Sequence, residues 1–98
     1  MTITKNLDGT KLTLALEGRL DTTTSPQLET EMHPDIDNST EVTFDLEKLA
    51  YISSAGLRVL LSAQKIMNKQ GKMVVKNVSE EVKEIFEVTG FCDILTLE

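Results

Sequence analysis

Two adjacent serines, Ser53 and Ser54, are the residues whose type and position best suit chemistry in this sequence. They follow an alternating apolar stretch that ends near Ile52 and precede a stretch of helical periodicity, which predicts a strand-to-helix turn. In open α/β sheets, sites gather at such turns, where the free N–H groups of the helix point outward. We expect Gly56 to leave the surface beside the two hydroxyl groups low and open.

Spacing alone leaves two interpretations of this turn open. In the first, one serine is the N-cap of the helix and Gly56 only accommodates packing. In the second, a serine is modified, and a phosphate group there would add roughly −1.5 to −2 charges. The helix end would tolerate that charge, but a docked partner would meet a strongly hydrated anion. Phosphorylation at this turn would therefore switch binding off.

A catalytic role for Ser54 finds little support in the sequence. A hydrolase nucleophile elbow needs Gly two residues before the serine, where Ile52 stands, and the histidine should follow, whereas His33 precedes. Other orders of a catalytic triad exist, so order alone does not exclude one. One His and one Cys, Cys92, cannot form a structural zinc site, and the turn lacks the lysine and glycines of a P-loop. We expect no enzyme, cofactor or metal site.

The first half of the chain predicts a hairpin, a short helix and a loop. Alternating apolar residues flank Asp8-Gly9, which is typical of a β-hairpin with a tight turn. Ser25-Pro26 is typical of an N-cap followed by proline in the first helical turn. We expect Pro34 to end this helix and the polar residues 34–41 to form a surface loop.

The second half predicts alternating strands and helices around the serine turn. Residues 42–46 alternate as a strand, and residues 54–70 have helical periodicity that Gly71 ends. A short buried strand follows at residues 73–75, then a helix capped by Ser79. Residues 94–97 are expected to form a last short strand.

The predicted order is therefore β-β-α-β-α-β-α-β, an α/β fold in which helices pack on a mostly parallel sheet. The initial hairpin adds an antiparallel pair, so the sheet is expected to be mixed. With 98 residues, the chain is expected to be one domain over residues 1–98.

Composition limits the partners and the compartment. The net charge of −6 disfavours nucleic acids and anionic membranes and favours a partner with a basic face. A single cysteine cannot form an internal disulfide, which suits a reducing compartment. No run approaches the roughly 20 apolar residues of a membrane span, and the N-terminus has no apolar signal region. The expected location is the cytoplasm.

Three segments resemble the STAS domain family, and more narrowly the bacterial anti-sigma factor antagonists. The segment Phe44-Asp45-Leu46 followed by Tyr51-Ile52-Ser53-Ser54-Ala55-Gly56-Leu57 resembles the family signature. Gly18-Arg19-Leu20-Asp21 is similar to a loop of the family, and Thr89-Gly90-Phe91 with Asp93-Ile94-Leu95 resembles its C-terminal end. The likeness covers essentially the whole chain and implies a STAS-like mixed sheet with an N-terminal hairpin.

The resemblance implies a phosphorylation switch in the control of transcription. In that family a serine two residues before the glycine is phosphorylated by a partner kinase, which is also the anti-sigma factor. The unphosphorylated antagonist binds this kinase and frees the sigma factor, and a PP2C-type phosphatase reverses the mark. Carried over by motif, the acceptor is Ser54. Because family members often carry Asp where this chain has Ser53, either serine could be the acceptor.

The resemblance also implies a partner-binding surface at the serine turn and the preceding loop, and we expect the chain to be a monomer. The loop aspartate, Asp21, could equally be a cap or turn residue. The residues expected on or beside this surface are Asp21, Thr22, Ser53, Ser54, Gly56, Leu57 and Arg58.

Two other functions remain open at this point. The chain could be a STAS scaffold or sensor subunit, or a soluble partner of a transporter, without phosphorylation. It could also bind a nucleotide or another small anion at the helix N-terminus. The basic stripe of Arg58, Lys65 and Lys69 is usually a solvated helix face, but it could accept an acidic partner or a nucleotide.

Overall fold

Strands and helices alternate along the chain in the computed structural model, which describes residues 1–98. The elements are β1 (Thr2–Asp8), β2 (Lys11–Leu20), α1 (Ser25–Ile36), β3 (Glu41–Ile52), α2 (Ser54–Gln70), β4 (Lys72–Lys76) and α3 (Glu80–Thr89), followed by a 3₁₀ turn at Phe91–Asp93. The predicted mixed α/β fold is confirmed. No helix combines the length and the apolar character that crossing a membrane requires.

The sheet has the order β1-β2-β3-β4, and its first pair is the predicted hairpin. Gly9 makes the tight turn with φ of 63°, a conformation that costs glycine little because it has no Cβ. The other pairs, β2 with β3 and β3 with β4, are parallel. Since Leu20 and Ile52 are paired at the ends of β2 and β3, the turns that follow these strands lie side by side. We call this the carboxyl edge of the sheet.

A single hydrophobic cluster of 22 buried residues holds the elements together. In β2 the buried side chains alternate with exposed or half-buried ones, which is the pattern of a strand covered on one face. In β4 the residues Met73, Val74 and Val75 are all buried, as expected of a strand covered on both faces. Helix α2 packs on β3 and β4, and α3 packs on β3.

Helix α1 runs past Pro34, so the expectation that this proline ends it is wrong. Proline removes one hydrogen bond of the helix, but Ile36 is fully buried and fixes the last turn to the core. The Lys5 ammonium group also lies 2.8 Å from the Asp35 carboxylate and ties this turn to β1. The stretch expected as an exposed loop is correspondingly shorter, and Ser39 within it is buried.

The C-terminal strand expected at residues 94–97 is reduced to a single bridge between Leu97 and Val75. Two backbone bonds of 2.8 Å make it, from Val75 N–H to the Thr96 carbonyl and from Glu98 N–H to the Val75 carbonyl. The 3₁₀ turn uses the residues just before, and Ile94 is 47% exposed. The predicted strand therefore meets β4 at one bridge and does not extend along it.

Helix α2 has the predicted bounds, but Gly71 ends it for a different reason. Its φ of 175° is ordinary extended backbone rather than the left-handed conformation of a glycine cap. A Cβ atom at this position would clash with the carbonyl oxygen of Thr40. Glycine is required here because the chain before β3 passes directly against it.

Candidate functional site at the carboxyl edge of the sheet

Ser53 is the N-cap of α2, which confirms the capping interpretation for one of the two serines. Its Oγ accepts a hydrogen bond from the Gly56 N–H at 3.4 Å, and its backbone is extended, with φ of −96° and ψ of 176°. The Ser53 N–H donates to the Leu20 carbonyl at 2.8 Å and ties the turn to the end of β2. The half-buried Ser53 is therefore held through both its side chain and its backbone N–H.

Ser54 is the first residue of α2, and its environment differs from that of its neighbour. It is exposed, whereas Ser53 is half-buried. The cap hydrogen bond belongs to the Ser53 side chain, so the Ser54 hydroxyl group is left facing solvent. The Ser53 hydroxyl group therefore caps the helix, whereas the Ser54 hydroxyl group is accessible.

Gly56 and Leu57 are buried, so the expectation of an open surface beside Gly56 is wrong, and Leu57, expected at the edge of the contact surface, belongs to the core. A Cβ atom on Gly56 would lie 2.7 Å from Cγ of Leu20 and 2.9 Å from Cγ1 of Ile52. Glycine therefore lets α2 approach the ends of both strands. Leu57 is 5% exposed and part of the hydrophobic cluster. Gly56 and Leu57 therefore hold the serine turn against the core.

The loop between β2 and α1 is built around the Asp21 carboxylate. Its Oδ1 accepts hydrogen bonds from the N–H groups of Thr23 at 3.0 Å and Thr24 at 3.1 Å. The Thr24 hydroxyl in turn accepts from the Asp21 N–H at 2.8 Å, a reciprocal arrangement like a capping box. The hydrogen bond from the Thr24 N–H is the main reason why the pKa of Asp21 is lowered. The cap or turn interpretation of Asp21 is confirmed.

Ser25 is not the N-cap of α1, contrary to the prediction. It is the first helical residue, and Thr24 precedes it without a side-chain cap bond. The Ser25 hydroxyl donates to the Asp21 carbonyl at 2.6 Å instead. The Asp21 carboxylate accepts from the N–H groups that precede the helix. The Ser25 hydroxyl adds a second link, to the backbone carbonyl of the same aspartate.

A shallow depression of about 210 Å³ lies between the first turns of α1 and α2. Thr22 and Arg58, both from the predicted partner-binding set, line it and are exposed. Ala55, which follows the exposed Ser54, also belongs to the lining, and the remaining residues are Ser25, Pro26 and Glu29. The fold therefore brings Thr22 of the loop and Arg58 of the helix to one depression, while the other residues of the predicted set do not line it.

Sequence reasoning missed a pair at the same edge, Arg19 and Tyr51. The guanidinium carbon of Arg19 lies 4.4 Å from the centroid of the Tyr51 ring, within the range of a cation–π interaction. Arg19 Nε also lies 4.0 Å from Oδ2 of Asp21, and the Arg19 side chain is 62% exposed. Both residues stand in the family-like segments, but only their pairing in the register of β2 and β3 reveals the contact.

Comparison with known proteins identifies the family. A model of the STAS domain matches residues 2–98. BtrV of Bordetella bronchiseptica, named as an anti-sigma factor antagonist, is 40% identical over 90 residues, covering 90% of this chain and 77% of that protein. The anti-sigma-B factor antagonist of Bacillus subtilis is 28% identical over 83 residues, covering 84% of this chain and 76% of its own length.

Solved structures have the same fold. The anti-sigma factor antagonist SpoIIAA in its unphosphorylated form has a TM-score of 0.78 at 16% identity, covering 99% of this chain and 87% of that one. The phosphorylated form of SpoIIAA from Bacillus has a TM-score of 0.77 at 17% identity, covering 99% and 91%. The match to the family model over nearly the whole chain, the identity to BtrV and the shared fold confirm the resemblance: the chain belongs to the STAS domain family.

Proposed function

We propose that this chain is an anti-sigma factor antagonist that binds an anti-sigma serine kinase and is released when Ser54 is phosphorylated. The relatives named as antagonists support the general role. One observation carries the switch: the Ser54 side chain is exposed at the start of α2, while Ser53 supplies the cap. The solved phosphorylated and unphosphorylated forms of SpoIIAA give a precedent for two such states in one fold.

The cap favours Ser54 over Ser53 as the acceptor. A kinase must draw its target hydroxyl into its own active site, and the Ser53 Oγ is engaged with the Gly56 N–H. Losing a cap costs about 1 kcal/mol of helix stability. Modifying Ser54 breaks no such bond.

The proposed transfer moves the γ-phosphoryl group of ATP to Ser54. A bond forms between Ser54 Oγ and the γ-phosphorus, the bond from that phosphorus to the bridging oxygen breaks, and ADP leaves. The hydroxyl proton passes to a base of the kinase. A PP2C-type phosphatase returns the serine by hydrolysing the phosphate ester with water, which releases inorganic phosphate.

Electrostatics explain why phosphorylation would release the partner without unfolding the antagonist. An anion at the N-terminus of a helix is favoured by the helix dipole, so α2 tolerates the phosphate. A partner docked on a neutral hydroxyl would instead have to desolvate a group of roughly −1.5 to −2 charges. We therefore expect the affinity to fall while the fold is preserved.

The proposed contact surface includes Thr22 and Arg58, which line the shallow depression. Asp21, Ser53 and Ser54 belong to it from the two adjoining turns, and the buried Gly56 and Leu57 support it from the core. A surface of loops and one helix end suits a modest, reversible interface. We propose that a monomer makes this contact in the cytoplasm, in keeping with the single unpaired Cys92.

The experiment that tests the proposal is intact mass measurement of the chain recovered from its host, with fragmentation to locate any phosphate. We expect a singly phosphorylated form with the phosphate on Ser54, at a level that changes with growth conditions. A phosphate on Ser53 alone would overturn the choice of acceptor. Unmodified chain under every condition would favour a constitutive binding subunit instead.

A further inference from the structure

We infer that Arg58 is the intramolecular partner of a phosphate group on Ser54. Phosphorylation would then do two things at once, because it adds an anion and also draws Arg58 away from the contact surface. The inference rests on the proposed function, since it assigns the residue that holds the modified Ser54.

The spacing of the two residues on α2 is suited to this contact. Ser54 and Arg58 are four residues apart in one helix and both are exposed. Side chains four apart share a helix face, with about 5–6 Å between their Cβ atoms. Helical side chains lean towards the N-terminus, which directs the long Arg58 side chain towards Ser54.

The chemistry of arginine suits a phosphate better than a neutral serine. The guanidinium group presents N–H donors in a planar fork that matches two oxygen atoms of a phosphate. A phosphoserine offers three acceptor oxygens and close to two negative charges near neutral pH. The unmodified Ser54 hydroxyl has no charge to hold the guanidinium group.

The other charged groups of this edge leave Arg58 available. Arg19 is engaged with the Asp21 carboxylate at 4.0 Å and with the Tyr51 ring. The ion pairs of the chain involve Lys5, Lys11, Arg19 and Lys72, and Arg58 is in none of them. Glu29, across the depression, is the carboxylate that competes for Arg58. A phosphate carries close to twice the charge of a carboxylate and would stand four residues from Arg58 on the same helix, so we expect it to outcompete Glu29.

Holding the phosphate changes what a partner meets. In the unmodified chain the guanidinium group of Arg58 is free to bind an acidic group of the kinase, and arginine is among the residues that carry most interface energy. In the phosphorylated chain the phosphate on Ser54 pairs with the same guanidinium group, which is then not available to the kinase. One modification would therefore remove a favourable contact as well as introduce an unfavourable one.

The test uses the full chain with phosphoserine installed at position 54 during synthesis, so that no kinase is needed. The second ionisation of the phosphate is followed by ³¹P NMR during a pH titration. Arg58 favours the dianion, so Arg58→Gln should raise the phosphate pKa by about 0.3. Arg58→Lys keeps the charge and should retain most of the effect.

Lys65→Gln is the matched control, because it removes the same charge from the exposed side of the same helix. It lies 11 residues beyond Ser54, about 16 Å along the helix, which exceeds the screening length at physiological salt. We expect no resolved shift from it. Equal pKa shifts from Arg58→Gln and Lys65→Gln, or no shift from either, would overturn the inferred contact between Arg58 and the phosphate. Such a result would leave the choice of Ser54 as acceptor standing. If instead the chain recovered from its host carries no phosphate on Ser54, the proposed function is overturned and the NMR result is unaffected.

Discussion

The two turns at the carboxyl edge lie side by side, yet they satisfy their polar groups in opposite ways. In the turn after β2, the Asp21 carboxylate accepts two backbone N–H groups, and the Thr24 hydroxyl donates to the Arg19 carbonyl at 2.8 Å. In the turn after β3, a single side-chain bond of 3.4 Å caps the helix, from Gly56 to Ser53.

The difference indicates what each turn is for. A network of short hydrogen bonds fixes the shape of the Asp21 turn and uses its side chains internally. The serine turn is fixed instead by packing beneath it, where Gly56 and Leu57 meet the core. Packing leaves Ser54 exposed and outside the hydrogen bonds that hold the turn, so we expect a change at its side chain to leave the turn intact.

If packing holds the serine turn, Leu57→Ala should have the largest effect on stability. Removing a buried leucine side chain costs about 2–5 kcal/mol of unfolding free energy. Urea unfolding followed by circular dichroism measures it. Leu7→Ala is the control, because Leu7 is 48% exposed and the same change there should cost far less. Similar losses for both variants would contradict the packing account.

If the serine turn is the one that meets the partner, charge at Ser54 should act mainly on binding. We expect Ser54→Asp to weaken binding by tenfold or more, which corresponds to about 1.4 kcal/mol, with unchanged unfolding. Ser54→Ala should keep binding and lose phosphorylation. Calorimetry would measure the affinity for a serine kinase, once one has been isolated from the host by its binding to the unmodified chain. Phosphorylation of Ser54→Ala but not of Ser53→Ala would reverse the assignment of the two serines.

If Ser53 acts only as a cap, Ser53→Ala should lower the unfolding free energy by about 0.5–1 kcal/mol and leave Ser54 available to a kinase. Ser79→Ala is a matched control, because Ser79 caps α3 through a 3.3 Å bond from the Val82 N–H. Both variants should lose similar stability in urea unfolding. A loss of phosphorylation at Ser54 in the Ser53 variant would mean that the kinase also reads the cap.

The smallest effect is expected from Asp21→Asn, which keeps an acceptor oxygen but removes the charge. The hydrogen bond from the Thr24 N–H lowers the pKa of Asp21 in the folded chain, so ionised Asp21 favours folding above the ordinary pKa of 3.8. That contribution is lost as the pH falls through the lowered folded-state value. Thermal melts should show the parent chain slightly more stable at pH 7 and equal to the variant in strong acid. A difference that does not change with pH would contradict the electrostatic account.

Local patterns predicted much of the fold and of the site. The period of residues 54–70 located α2, and Asp8-Gly9 located the hairpin, because both signals involve near neighbours in sequence. The same local pattern located the serine turn. It did not assign the cap to Ser53 rather than Ser54, since that depends on which hydroxyl group meets the Gly56 N–H.

The sequence by itself determined the order of the first seven elements, the mixed α/β class and the position of the two serines between a strand and a helix. The tertiary structure decided that α1 continues past Pro34 and that Gly56 packs on Leu20. It also decided that Arg19 lies over Tyr51. Each of these features depends on contacts between residues that are far apart in the chain. Burial and electrostatic attraction in such contacts stabilise a structure that the preferences of neighbouring residues alone do not specify.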